Sequence, residues 1–173
     1  MSGQQSRRQW GWHPLTDIWA SRVVVESDVR RGEFVVDIGA GDGALTAHLV
    51  AAGARVLAVE LRSGRAQRLR SRFEHENVRV VEVDALGFRW PRRPFRVVVS
   101  PPFGITGALV RSMMKPGSGL TAADLVLQRA AVRKHAERSH LARWTMREGI
   151  ALPRTAFRPP PQVDSSVLVI RRR

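Results

Sequence analysis

Residues Phe34 to Thr46 constrain the fold more than any other stretch. Phe34-Val35-Val36-Asp37-Ile38 is an apolar, β-branched run. Gly39-Ala40-Gly41-Asp42-Gly43 follows, and then Ala44-Leu45-Thr46. This reads as strand, glycine turn and helix start. Glycines tolerate positive φ and let a ligand approach the backbone closely. A second apolar strand, Val56-Leu57-Ala58-Val59, ends in Glu60. An acid about 20 residues past a glycine turn is placed to hydrogen-bond a ribose hydroxyl pair. A third strand, 78–83, ends in Asp84, whose carboxylate can accept from an adenine amino group. By itself the glycine turn is shared with nicotinamide-binding enzymes.

The same alternation continues along the chain. Strands are expected at 34–38, 55–60, 78–83, 95–99, 123–127, 144–152 and 163–171. Helices are expected from Thr16 or Asp17 to Ser27, and over 43–52, 62–73, 105–114 and 128–142. Strands alternating with helices predict a mostly parallel sheet covered on both faces. The last two strands form an antiparallel pair closing one edge. The expectation is therefore α/β, with seven strands in one Rossmann-like sheet. Asp42 is read as a helix cap or dipole partner.

A second motif narrows the chemistry. Val97-Val98-Val99 leads into Ser100-Pro101-Pro102-Phe103. Two prolines remove two backbone donors and stiffen the turn. A hydroxyl at Ser100, a carbonyl at Pro101 and a ring at Phe103 suit an exocyclic amine on a planar base. The hydroxyl and carbonyl accept its N–H groups and Phe103 stacks on the ring. Glycine turn, Glu60, Asp84 and Ser-Pro-Pro-Phe, in that order, resemble the cofactor and target-base motifs of S-adenosylmethionine-dependent amino-methyltransferases.

Charge points to the partner. The 173 residues carry 29 Lys and Arg against 15 Asp and Glu, a formal charge of +14. That excess favours a polyanion, with nucleic acid foremost. Most of the cations are Arg, which suits bidentate phosphate contacts. Residues 1–15 read as a basic, aromatic arm in which Arg7, Arg8 and Trp10 can neutralise and stack on RNA. Arg129, Arg133, Lys134 and Arg138 mark a basic helix suited to the same work, and Arg171-Arg172-Arg173 a basic tail. The chain has no cysteine, hence no disulfide or thiolate metal site. Histidine spacing offers no metal site either. The amino terminus lacks the apolar core of a secretory signal, and no apolar run approaches transmembrane length. A cytoplasmic monomer with no membrane partner and no metal is expected.

Two terminal blocks add a family resemblance. The opening, Arg7-Arg8-Gln9-Trp10-Gly11-Trp12-His13-Pro14-Leu15-Thr16-Asp17, is similar in layout to the start of rRNA adenine dimethyltransferases. Phe157-Arg158-Pro159-Pro160-Pro161-Gln162-Val163-Asp164-Ser165 resembles that family's Phe-x-Pro-x-Pro-x-Val-Asp-Ser block. The likeness covers nearly the whole chain and is strongest to the erythromycin-resistance branch. It implies a class I methyltransferase that carries methyl from S-adenosylmethionine to N6 of one adenine in 23S rRNA. That site lies near the peptidyl transferase centre, and its methylation gives resistance to macrolides, lincosamides and streptogramin B.

The resemblance also implies roles. His13, Leu15, Gly39, Gly41, Glu60, Leu61, Asp84, Ala85 and Ser100 would surround the cofactor. Ser100, Pro101 and Phe103 would serve the target amine. Three departures stand out. Ser100 replaces the usual Asn, and Trp12-His13-Pro14 replaces Gln-Asn-Phe. The chain is also expected to be a single domain without the family's small helical domain. Two other readings stay open: a non-catalytic rRNA-binding assembly factor, and another nucleic-acid adenine N6-methyltransferase.

Overall fold

The computed structural model describes residues 13–137 and 143–173. Helix α1 (Asp17–Glu26) precedes β1 (Phe34–Ile38), α2 (Ala44–Ala51), β2 (Arg55–Glu60), α3 (Ser63–Arg72) and β3 (Val78–Glu82). Then come β4 (Phe95–Val99), α4 (Thr106–Met113), β5 (Leu120–Gln128), α5 (Arg129–Glu137), β6 (Trp144–Leu152) and β7 (Ser165–Arg172). All seven strands form one sheet in the order β3-β2-β1-β4-β5-β7-β6. Strands β1 to β5 pair in parallel. β7 runs antiparallel to both β5 and β6 and lies between them. The expected α/β sheet with its antiparallel pair at one edge is present.

The side-chain pattern explains the layering. In β1, Val36 and Ile38 point to one face, which α4 covers with Leu109, Val110 and Met113 and α5 with Val132. Val35 points to the other, which α1 covers with Ala20, Val23 and Val24 and α2 with Leu45 and Leu49. The central strands are buried on both faces, so they read as continuous apolar runs rather than alternating ones. Gly43 has φ 90°, and a Cβ there would come within 2.8 Å of the Phe73 ring. Glycine is therefore needed for the turn and for the close packing of α3.

Several boundaries differ from expectation. β5 begins at Leu120 rather than 123, because Phe95 pairs with Leu120 across a register shift. Helix α4 is preceded by one 3-10 turn over Phe103–Ile105. Helix α5 is described to Glu137; Arg138 and His140 lie outside the described residues, as do Arg7, Arg8 and Trp10.

Candidate functional site

The strand order reverses direction between β1 and β4, and open α/β sheets form a crevice at such a point. The β1–β4 ladder registers only Val35 with Arg96 and Val36 with Val97. The carboxyl ends of these strands, at Ile38 and Val99, lie beyond it. Gly39 follows β1 and Ser100-Pro101-Pro102 follows β4. At Gly39 φ is 72°, and a Cβ would stand 3.5 Å from the Pro102 ring. That is ordinary van der Waals distance, so the two loops are in contact and it is the positive φ that calls for glycine.

A cavity of about 430 Å³ opens over the carboxyl ends of β1, β2 and β3. Gly39, Glu60, Leu61, Asp84 and Ala85 line it. Its size falls within the range of about 300–1,000 Å³ typical of small-molecule sites. A smaller pocket adjoins it, lined by His13, Leu15, Gly39, Gly41 and Ser100 among others. The structure thus brings the sequence-selected positions into two neighbouring pockets that share Gly39.

The polar groups are held by backbone donors. Glu60 is only 5% exposed. Its Oε2 accepts from the Gly41 N–H at 2.9 Å and its Oε1 from the Arg62 N–H at 2.9 Å. Each carboxylate oxygen has a second lone-pair site, so further hydroxyl donors can be accommodated. Asp84 Oδ1 accepts from the Leu86 N–H at 2.9 Å, capping a short 3-10 turn. Asp37, at the end of β1, is 2% exposed and accepts from Thr46 Oγ1 at 2.8 Å. Burial pushes its carboxyl up to about 7; the Thr46 bond pulls it down, and the Glu60 charge raises it again.

His13 and Phe103 come together on the other side. Their rings stack with centroids 6.1 Å apart at 27°. His13 Nδ1 donates to the Pro159 carbonyl at 2.8 Å. The chain start is zipped along the Phe157 block: Leu15 bridges Phe157, Thr16 N–H donates to Ala156 O at 2.8 Å, and Arg158 N–H to Pro14 O at 3.0 Å. The described start of the chain, residues 13–16, and the Phe157 block are therefore one structural unit. Leu15, at 6% exposure, packs in the core as well as lining the smaller pocket.

Two expectations are corrected, and two candidate RNA contacts prove to be ion-paired. Asp42 caps nothing: the N-cap of α2 is Gly43, and Asp42 Oδ1 accepts from Arg68 Nη2 at 2.9 Å. Arg129, a candidate RNA contact, has its Nε donating to Glu148 Oε1 at 2.7 Å. Arg133 stands 3.6 Å from Glu148 Oε2. That arrangement holds the Glu148 carboxyl below its usual range, chiefly through the Arg129 bond. Arg171 is half-buried in β7 instead of standing in a basic tail, with two hydrogen bonds to Asp124, each 3.0 Å.

Sequence reasoning passed over Arg62, Arg65 and Arg68, which line the large cavity. Their signal was available: Arg65, Arg68 and Arg72 recur at helical spacing.

Comparison with known proteins defines the class. The ribosomal RNA adenine dimethylase family matches residues 3–173. An rRNA adenine N-6-methyltransferase of Corynebacterium diphtheriae is 35% identical over 96% of this chain and 68% of its own length. The mycinamicin-resistance protein MyrB of Micromonospora griseorubida is 38% identical over 80% of this chain and 47% of its own. The crystal structure of the 23S rRNA methyltransferase ErmE matches with a TM-score of 0.84 and 28% identity, over 92% of this chain and 69% of that one.

The fold is that of an S-adenosylmethionine-dependent methyltransferase. Within that class, the chain belongs to the ribosomal RNA adenine dimethylase family. The residues present fit the cofactor: a buried carboxylate ends β2, a second acid follows β3, and an apolar wall of Ile38, Val59, Val83, Leu86 and Ile105 lies between them.

Proposed function

We propose that this protein methylates N6 of one adenine in 23S rRNA near the peptidyl transferase centre, from S-adenosylmethionine. Resistance to macrolides, lincosamides and streptogramin B follows from that modification. The observation that carries the reading is the Ser100-Pro101-Pro102-Phe103 loop, set against Gly39 at the strand-order reversal. The likeness to ErmE and to a mycinamicin-resistance protein supports the choice of large-subunit RNA. An RNA substrate of this kind places the protein in the cytoplasm.

The roles follow from position. Glu60 holds the ribose hydroxyls, and Asp84, with Leu61 and Ala85 beside it, holds the adenine of the cofactor. Gly39 and Gly41 leave room for the methionine portion, bounded by Leu15 and His13. When bound, S-adenosylmethionine supplies an electrophilic methyl group on a sulfonium. Ser100 Oγ and the Pro101 carbonyl accept the two N6 hydrogens of the target adenine. That draws the nitrogen lone pair out of conjugation with the ring. Phe103 stacks on the base and fixes its orientation, so rate enhancement comes from positioning. The target must leave its stack to reach this loop. Arg133 and Lys134 of α5, with Arg7, Arg8, Trp10, Arg129 and Arg138, contribute to RNA affinity.

Labelled methyl transfer to protein-free large-subunit and small-subunit rRNA, with the product nucleoside identified, tests the proposal. N6-methylated adenine in large-subunit RNA is expected. A Bordetella avium relative named ribosomal RNA small subunit methyltransferase A is 33% identical over 97% of this chain. Transfer confined to small-subunit RNA would move the target there, and binding without transfer would favour an assembly factor. Phe103→Ala should lower kcat/KM about 100-fold, the upper end of a stacking contribution of about 1–3 kcal/mol, while RNA retention changes little.

A further inference from the structure

We propose that the arginine face of α3 is a binding surface for the sugar-phosphate backbone of the substrate RNA. The proposal rests on the RNA-methyltransferase reading and adds a contact surface to it. Between Arg62 and Arg72 the sequence places five arginines and no acid. Ala66 and Leu69 turn inward and are buried. Arg65, Arg68 and Arg72 share one helix face by their spacing. Arg62, Arg65 and Arg68 also line the rim of the large cavity. The cationic face and the cavity mouth are therefore continuous.

Among the described residues, two carboxylates meet the helix in ion pairs with Arg68 and Arg70. Asp42 takes Arg68 on its side chain, and its carbonyl accepts from Arg72 Nη1 at 2.6 Å. Glu82 lies 3.8 Å from Arg70 Nη1. Arg68 and Asp42 are 64% and 57% exposed. An ion pair that exposed contributes little to stability. Exchanging Asp42 for a phosphate therefore costs little, and guanidinium–phosphate pairing can be bidentate.

The groove between the glycine turn and α3 is lined by Asp42, Gly64, Gln67, Arg68, Ser71 and Arg72. Gln67 and Ser71 add neutral donors and acceptors among the cations, which suits ribose hydroxyls beside phosphates. The helix exposes no large apolar side chain between Ser63 and Arg72. A membrane surface, which needs an apolar face to insert, fits poorly. On α5, by contrast, Arg129 and Arg133 share the single carboxylate of Glu148.

The test uses the whole protein and protein-free large-subunit rRNA, without cofactor, so that binding is read apart from catalysis. Arg65→Gln/Arg68→Gln/Arg72→Gln should weaken RNA binding at least tenfold near physiological salt. It should also flatten the slope of log affinity against log salt by about 2, since each lost phosphate contact removes about 0.7–0.9. Arg129→Gln/Arg133→Gln should change the slope by less. Thermal melting checks that the triple variant is folded. If it is not, Arg65→Gln and Arg72→Gln singly should each reduce the slope by about 0.7. An unchanged affinity and slope in a folded α3 variant overturns the proposal. Such a result with wild-type methyl transfer intact leaves the enzyme reading standing. Wild-type RNA binding that depends on α3, without any transfer, supports the surface and removes the enzyme reading.

Discussion

Asp37 and Asp124 lie on the same face of one sheet, each 2% exposed, and are treated in opposite ways. Asp124, in β5, receives two hydrogen bonds from Arg171 and stands 3.7 Å from Arg96 Nη2. Arg96 in turn donates to Glu33 at 3.1 Å, to the Asp28 carbonyl at 3.0 Å and to the Ser27 carbonyl. This cluster ties α1, β4, β5 and β7 together. Burial raises the Asp124 carboxyl, and the Arg171 bonds and the charges of Arg171, Arg96 and Arg147 draw it back. Asp37 has a single hydroxyl, Thr46, and a like charge, Glu60, nearby. A buried acid with cationic partners clamps a fold. One beside a ligand cavity with no such partner costs stability, as functional sites commonly do.

Of the substitutions that destabilise, breaking the clamp should cost the most. Asp124→Ala leaves Arg96 and Arg171 facing a buried gap. The loss of unfolding free energy should be about 3 kcal/mol, the lower end expected for an orphaned buried partner. Urea unfolding at neutral pH measures it. The double variant Asp124→Leu/Arg171→Met should recover only part, because Arg96 remains with Glu33 as its one nearby carboxylate. Full recovery would show that Arg96 draws nothing from Asp124.

The unclamped acid should reveal itself in pH dependence. Unfolded, the Asp37 carboxyl has its ordinary value near 3.8; folded, it is raised to about 7. Below pH 4 both states hold the proton. Between about 4 and 7 the unfolded chain has released it and the folded chain keeps it. The unfolded state then binds fewer protons, so stability falls as pH rises, by up to ~1.4 kcal/mol per unit. Above 7 the contribution is flat. Asp37→Asn cannot titrate and still accepts from Thr46. Its unfolding free energy, measured from pH 4 to 8, should lack that decline. Parallel curves for the two proteins would mean that Asp37 ionises normally.

Little of this contrast is legible in the sequence. The strands β1, β2 and β4 are, because apolar β-branched runs bounded by glycine or proline announce themselves locally. So is the cavity set, because Glu60 ends a strand, Asp84 closely follows one, and the fold delivers strand ends to one rim. Asp124, however, stands inside an apolar run, and its partner Arg171 stands in a basic tail that reads as an RNA grip. Their meeting depends on β7 inserting beside β5, a pairing no local pattern reports. Leu15 and Phe157 meet by the same kind of long-range contact. The Arg129 ion pair is hidden in the sequence for a related reason. Helical periodicity sets its face but does not show that β6 brings Glu148 against it.

Thr46 allows the finest adjustment of the comparison. It is fully buried, and its hydroxyl gives the Asp37 carboxyl its one hydrogen bond from a neutral side chain. Thr46→Val keeps the shape and removes the donor. At neutral pH the expected cost is about 1 kcal/mol, the net worth of one such bond. The more telling effect is on titration. The bond lowers the Asp37 value, so without it the folded carboxyl holds its proton to higher pH. The decline in stability should then continue beyond pH 7, instead of levelling there. Asp37→Asn/Thr46→Val should show no pH-dependent difference from Asp37→Asn alone. If the single Thr46→Val variant costs about 1 kcal/mol equally at pH 5 and pH 8, Thr46 is a packing residue, and the charge on Asp37 is governed by burial and Glu60 alone.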